Sequence, residues 1–338
     1  MLGRAGSFAL ATGPGLWRRH LRSSRAHDRG TFSGPSDATA ALAGRGSLDC
    51  NVQAVYGGSR DTWFPGLRRP RMVTQNCFTF PFYIPRICRL LSNWPEYLFN
   101  YVLRKRRPAE YRLRNGFRLM DGTGTLPGTL AEVFVRRRYG LLEGFRTIVD
   151  VGANVGSFAV YAAQSCPDAR IYCYEPEEQN FGLLKRNVQI NGLDARVSTF
   201  QCAVASSHGR RELSVGSSPL NSFHVPSRGE RRQMVDCTTL PLILADQNLD
   251  TVDLLKMNCE GAEYEVLEGC ADADLDRIAA IRLEYHNLDH FRNGERLAEH
   301  LQLRGFTLER VTRRLNESGF IWAARPRRSR RHNASHSR

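Results

Sequence analysis

The sequence predicts an α/β fold: a mostly parallel sheet of seven strands, the last antiparallel, with helices on both faces. Three observations carry this. From residue 147 onward β-rich runs recur at 147–151, 170–174, 197–203, 253–258, 279–285, 306–311 and 319–324, the earlier ones separated by stretches of helical spacing. The first run ends at Asp150 and passes through Gly152, Asn154 and Gly156 into small and apolar residues with a helical period, as a βαβ unit begins. The last two runs are joined by TRRLNESG, too short for a crossover helix, so they pair antiparallel.

Along the chain, residues 1–75 mix Gly, Ser, Ala, Arg and Pro with no sustained period, which predicts a disordered or mis-started N-terminal segment. Arg4, Arg18, Arg19, Arg22 and Arg25 all precede the first acidic residue, Asp28, a pattern that also fits an organellar transit peptide. Residues 76–146 read as a helix, a β-hairpin and a second helix. In WPEYLFNYVLRKRR, Pro95 suits a helix start, and Tyr97/Tyr101 and Leu98/Val102 recur at fourfold spacing. In YRLRNGFRLMDG, Asn115-Gly116 predicts a two-residue type I′ turn, both positions taking positive φ. The segment LAEVFVRRRYG supplies the second helix. Residues 147–325 form the ligand-binding domain, within which PEEQNFGLLKRNVQINGL is a helix led by Pro176, with Phe181, Leu184 and Val188 on one face and Asn191-Gly192 as its stop. Residues 326–338 read as a basic disordered tail.

At 338 residues and 41% hydrophobic content the chain suits one domain with ragged ends. Its net charge of +14 suggests an anionic partner, yet of 48 basic residues only Lys105, Lys185 and Lys256 are lysine. Arginine codons are GC-rich and lysine codons are not, so a GC-rich, bacterial genome accounts for the bias without nucleic acid. Nine cysteines form no CxxC pair, which points to reduced thiols in a cytoplasmic protein. The most apolar stretch, CFTFPFYIPRICRLLSNW, is broken by Pro81, Pro85, Arg86 and Arg89 and predicts no membrane span.

A strand, a glycine turn and a helix N-terminus let backbone approach a ligand closely. Dinucleotide binding asks for G-x-G-x-x-G, and Asn154 and Ser157 stand where its second and third glycines belong. The turn better suits a ligand with an ammonium, compensated by Asp150 directly or through water, and a carboxylate facing the turn's amides. The next strand ends in Glu175, which reads either as a clamp for ribose hydroxyls or as a charge favouring a helix start. Further on, VDLLKMNCEGAEYEVLEG leaves an apolar strand through Asn258, Glu260 and Gly261, and IRLEYHN places Glu284 and His286 at a neighbouring strand end. Such groups can take a proton from an alcohol. Glu263, Glu265 and Glu268 read as a solvated helix face.

Together VDVGANVGSFAV, YCYEPEEQNFGLLKRNVQINGL, LLKMNCEGAEYEVLEG and IRLEYHN resemble the FkbM family of S-adenosylmethionine-dependent methyltransferases. The likeness is strongest over 147–287 and runs from about 110 to 325. It implies the class I methyltransferase Rossmann-like fold, S-adenosylmethionine as cofactor, and methyl transfer to a hydroxyl of a small molecule, sugar or glycan-like acceptor. Carried over by position, Asp150, Gly152, Asn154, Gly156, Glu175, Ala203 and Asn258 hold the cofactor, Ala203 near the adenine, and Glu260, His286 and Glu284 serve catalysis. One departure stands out: the family pattern Lys-(Ile/Met)-Asp-x-Glu-Gly has Asn258 in place of its aspartate. No metal is expected, since hard cations need several oxygens and no additional cluster is present.

Two rival functions arise. An RNA methyltransferase would use the basic tail, but the (Asp/Asn)-Pro-Pro-(Tyr/Phe) turn is replaced by NCEG, and a Lys-Asp-Lys-Glu tetrad would need two of three lysines. A catalytically impaired S-adenosylmethionine-binding protein would explain Asn258. The acceptor pocket is expected from the loop at 217–233, where Asn221, Ser222 and His224 can meet hydroxyls, and from the helix near Pro95.

Overall fold

The computed structural model describes residues 72–74, 80–103, 109–122, 124, 126–215, 231–314 and 318–326, all within the compact unit Leu48–Arg338. In chain order these form β1 (Met72–Thr74), α1 (Phe80–Leu90), α2 (Trp94–Leu103), β2 (Ala109–Arg112), β3 (Arg118–Asp121) and α3 (Leu126–Leu130), which runs on as a π-helical turn over Ala131–Val135. Then follow β4 (Thr147–Val151), α4 (Ser157–Ser165), β5 (Arg170–Tyr174), α5 (Glu178–Gln189), β6 (Val197–Phe200), β7 (Ala203–Val204), β8 (Gly209–Val215) and β9 (Arg231–Thr238). The rest comprises α6 (Leu240–Asp246), β10 (Leu254–Met257), α7 (Glu263–Glu268), α8 (Asp272–Leu275), β11 (Ala280–His286), α9 (Gly294–Leu303), β12 (Thr307–Arg313) and β13 (Ser318–Ala324).

The main sheet has the order β1-β12-β13-β11-β10-β4-β5-β6. The seven strands from β4 onward include all those expected, and β13 alone is antiparallel, inserted between β11 and β12. This is the class I methyltransferase architecture, extended at one edge by β1, which pairs parallel to β12. Strand β1 lies inside the segment expected to be disordered, because backbone pairing at a sheet edge needs no hydrophobic period.

Side chains alternate between two cores, as a period of two requires. Ile148, Ile171 and Leu254 point to one, with Phe158, Leu184 and Val188 of α4 and α5. Val149, Val151, Leu255 and Met257 point to the other, against Leu240, Ile243, Leu267 and Leu301 of α6, α7 and α9. Asp150 and Lys256 are register partners on adjacent strands.

Three local expectations are corrected. The hairpin is not type I′: of Asn115-Gly116 only Gly116 has positive φ, at 96°, and Gly116 N–H donates to Leu113 O at 3.1 Å. A turn closed by a left-handed glycine follows, and Asn115 Oδ1 accepts from Phe117 N–H at 3.3 Å instead. The run expected at 197–203 stops at Phe200, and Ala203 begins a separate three-stranded sheet, β7-β9-β8, that the sequence reading missed. Helix α5 starts two residues after Pro176, because Glu177 caps it by accepting from Asn180 N–H at 2.7 Å.

Candidate functional site

The turn after β4 is built from left-handed residues: Gly152 at φ 72°, Asn154 at 51° and Gly156 at 86°. Gly152 N–H and Ala153 N–H both donate to Tyr174 O at 3.0 Å, tying the turn to the end of β5. Asn154 N–H donates to Glu175 Oε2 at 2.8 Å, Val155 N–H to Asn154 Oδ1 at 2.8 Å, and Gly156 N–H to Ala153 O at 2.9 Å. All five amides are therefore spent within the protein, which corrects the expectation that they face a ligand carboxylate. Gly152 serves a closer purpose. A Cβ there would lie 1.9 Å from Asn258 O, so the turns after β4 and β10 touch backbone to backbone.

Asp150 is fully buried, and its Oδ1 lies 2.8 Å from Lys256 Nζ. Burial raises its carboxyl and the Lys256 charge opposes that rise. The expected contact with a ligand ammonium is corrected: no solvent reaches either oxygen. Asp150 instead positions Lys256, whose Nζ donates to Gly152 O at 2.8 Å and lies over the Tyr139 and Phe158 rings. The family pattern Lys-(Ile/Met)-Asp-x-Glu-Gly includes Lys256, but only the strand order that pairs β4 with β10 reveals that it faces Asp150.

Glu175, at 5% exposure, accepts from Asn154 N–H and, through Oε1 at 3.0 Å, from Glu177 N–H. Burial pushes its carboxyl up to about 7, against these two bonds. A carboxylate held by backbone on one side, with lone pairs to spare, fits two ribose hydroxyls. Asn258 Oδ1 is buried with no hydrogen-bond partner, an acceptor that fits an ammonium. Ala203 is buried at 3% exposure and pairs with Cys237 in the small sheet. The actual strand end beside Tyr174 is Phe200, whose ring stacks on Tyr174 at 4.7 Å.

The turn after β10 brings Glu260 and Glu263 against His286. Glu260 takes φ 55°, and its carboxylate meets His286 Nε2 at 3.2 Å. Glu263, expected on a solvated face, is instead completely buried: Oε1 accepts from Cys259 N–H at 2.9 Å and Oε2 from Gly261 N–H at 2.8 Å. Its Oε1 also approaches His286 Nδ1 at 3.6 Å, so the imidazole sits between two carboxylates. The signal was available, since a carboxylate two residues after a left-handed glycine can fold back on free turn amides. Tyr264 donates to His286 O at 3.0 Å and fixes the strand end. Burial pushes Glu260 up to about 8, with the His286 charge opposing. Burial would lower His286, but Glu263 and Glu260 outweigh it and hold it up at about 9. The pair retains a proton at neutral pH. Glu265, by contrast, accepts from Arg211 and Ser206, and Glu268 is exposed.

Glu284 is not a free base. Its Oε1 accepts from Arg314 Nη1 at 2.7 Å, and Arg314 Nη2 reaches Glu132 Oε2 at 2.7 Å. Glu132 also binds Arg138 at 2.7 Å and Arg136 at 2.5 Å, so β11, the π-helical turn and the end of β12 share one ionic network. Burial raises Glu284 and Arg314 opposes it. Asn221, Ser222 and His224 lie outside the described residues, as does most of the 217–233 loop. No cluster of three or more metal-ligating side chains occurs among the described residues.

Residues 150–320 match the family model for the methyltransferase FkbM domain. The chain is 30% identical over 168 residues to methyltransferase sdnD of Sordaria araneosa, covering 40% of this chain and 65% of that one. It is 27% identical over 194 residues to 31-O-demethyl-FK506 methyltransferase FkbM of Streptomyces tacrolimicus, covering 47% and 74%. With the 2-O-methyltransferase NoeI of Sinorhizobium fredii it shares 25% over 155 residues, covering 41% and 62%. Among solved structures, a methyltransferase FkbM from Methylobacillus flagellatus aligns at a TM-score of 0.39 and 13% identity, over 73% of this chain and 59% of that one.

Proposed function

The chain belongs to the FkbM methyltransferase family, whose cofactor is S-adenosylmethionine, and from that premise we propose that it is an O-methyltransferase acting on a hydroxyl of a small molecule, sugar or glycan-like acceptor. The observation that carries the reading is the Glu260–His286 contact of 3.2 Å, in the same turn whose Asn258 O meets Gly152. Two relatives named above carry O-methyl transfer in their names.

Glu175 holds the cofactor's ribose hydroxyls, Asn258 Oδ1 accepts from its ammonium, and Gly152, Asn154 and Gly156 shape the turn against which it lies. Bound S-adenosylmethionine supplies an electrophilic methyl group on a sulfonium. The Glu260–His286 pair takes the acceptor's hydroxyl proton: burial raises Glu260 and the flanking carboxylates raise His286, so one of the two becomes the base as pH rises. Glu263 keeps the imidazole and the Glu260 turn in register, and alignment supplies much of the rate, so a base of ordinary strength suffices.

The test is transfer of labelled methyl from S-adenosylmethionine to a panel of polyols, sugars and phenols. Retention of label through alkaline hydrolysis marks an ether. Glu260→Gln and His286→Gln should each lose most turnover with cofactor affinity intact. Label in base-labile esters or on nitrogen, or full turnover in both variants, would overturn the assignment. The orphaned Asn258 amide favours one second reading, a binding protein with impaired catalysis. A large gain in transfer in Asn258→Asp would support that reading.

A further inference from the structure

Helix α1 buries Ile87 and partly buries Tyr83 and Leu90, while Phe82, Pro85, Arg86 and Arg89, at i, i+3, i+4 and i+7, form an exposed stripe on its other side. Phe82 is 79% exposed, and Ile84 lies beside the stripe at 36%. Arg86 and Arg89, with Arg137 from the turn after the π-helix, line a cleft of about 400 Å³ floored by Leu90 and Phe134. Arg86 donates to Val135 O at 3.4 Å and lies over the Tyr83 ring, and Arg137 is held at φ 50°. None of the three forms an ion pair with a described carboxylate. The sequence agrees: from Thr62 to Pro95 there is no acidic residue, and α2 is followed by Arg104-Lys105-Arg106-Arg107.

Three guanidinium groups around one cleft with no counter-charge call for a phosphate. An exposed phenyl and an isoleucyl side chain on the same helix call for an apolar medium. A soluble anion satisfies only the first. We propose that this face docks on a bilayer surface containing anionic phospholipids, with a lipid phosphate in the arginine-lined cleft and Phe82 and Ile84 at the acyl boundary. No helix among the described residues is long and apolar enough to cross a membrane, so the association is peripheral. The proposal stands independently of methyl transfer.

The experiment is sedimentation of the full chain with phosphatidylcholine vesicles, with and without phosphatidylglycerol, at low and high salt. Binding should require the anionic lipid and weaken with salt. Arg86→Ser/Arg89→Ser/Arg137→Ser should cut partitioning on the order of 100-fold, the triple Lys variant should retain it, and Phe82→Ser should cut it about tenfold. All four side chains are exposed, so unchanged melting and S-adenosylmethionine affinity serve as the folding control. Partitioning equal to wild type in the triple Ser variant overturns the proposal. So does inorganic phosphate that binds the cleft while vesicles do not, or a Phe82→Ser variant that dissociates an oligomer with its vesicle binding unchanged.

Discussion

Lys256→Met removes the cation that faces Asp150 across β4 and β10. Both side chains are sealed, at 3% and 0% exposure, and the same ammonium holds Gly152 O at 2.8 Å. Stranding a buried carboxylate in this way costs about 3–5 kcal/mol. In a domain of this size that is a fall in melting temperature of about 10 °C. The loss has a pH signature. Burial already raises Asp150 while Lys256 holds it down, so without the lysine it rises further. An acid raised in the folded state is protonated there while the unfolded chain ionises above its ordinary value. Stability is then greatest at low pH and is lost as pH rises toward the folded value. Urea unfolding followed by circular dichroism should therefore show a smaller penalty at about pH 5 than at about pH 8. Asp150→Asn/Lys256→Met should recover more than half of the stability but not cofactor affinity, since Gly152 O stays unheld. A single variant costing under about 1 kcal/mol, or a double variant no better than the single one, would refute the reasoning.

Other expectations follow from the same geometry. Glu263→Gln leaves one of two buried N–H groups, on Cys259 or Gly261, without an acceptor, a loss of about 2–4 kcal/mol. Histidine NMR should show His286 titrating below its value of about 9. Glu175→Ala should weaken S-adenosylmethionine binding in calorimetry by about 30-fold or more. Wild-type affinity should fall as pH drops through about 7, where the Glu175 carboxylate takes up a proton. Glu260 and His286 are both raised, to about 8 and about 9, so the folded chain holds protons that the unfolded chain releases. Stability should be greatest in acid and fall as pH rises from the ordinary values of 4.5 and 6.5 toward about 8 and about 9, by up to about 1.4 kcal/mol per pH unit for each proton. Glu260→Gln, which mimics the protonated acid, should flatten the profile.

The seven strands of the main sheet from β4 onward were legible because β-rich runs and short links are local signals, and the turn through Gly152, Asn154 and Gly156 announced itself by residue type. What stayed hidden depends on partners distant in sequence or on how a turn folds back on itself. Nothing near Lys256 says that it faces Asp150 until β10 is laid beside β4. Glu263 looked solvated beside Glu265 and Glu268 because helical spacing cannot show that its carboxylate bends back onto Cys259 and Gly261. Glu284 looked like a spare base until Arg314, 30 residues on, closed over it. The hairpin at Asn115-Gly116 was placed correctly but given the wrong turn, since Asn115 Oδ1 accepts from Phe117 N–H while Gly116 N–H closes back on Leu113 O.

The insertion of β13 between β11 and β12 bears on how the molecule is made. Strand β13 follows both β11 and β12 in the chain yet lies between them, so until it is made β11 and β12 expose unpaired edges to every neighbouring chain. Arg314, which bridges back 182 residues to Glu132, likewise completes the ionic network only once β12 has been made. A nascent chain halted before Ser318 therefore has its glycine turn but no closed sheet, and it should accumulate as aggregate. One halted after Pro326 should fold normally. The β12–β13 hairpin closes the sheet, and the interval before β13 is made is the one in which the β11 and β12 edges stand open.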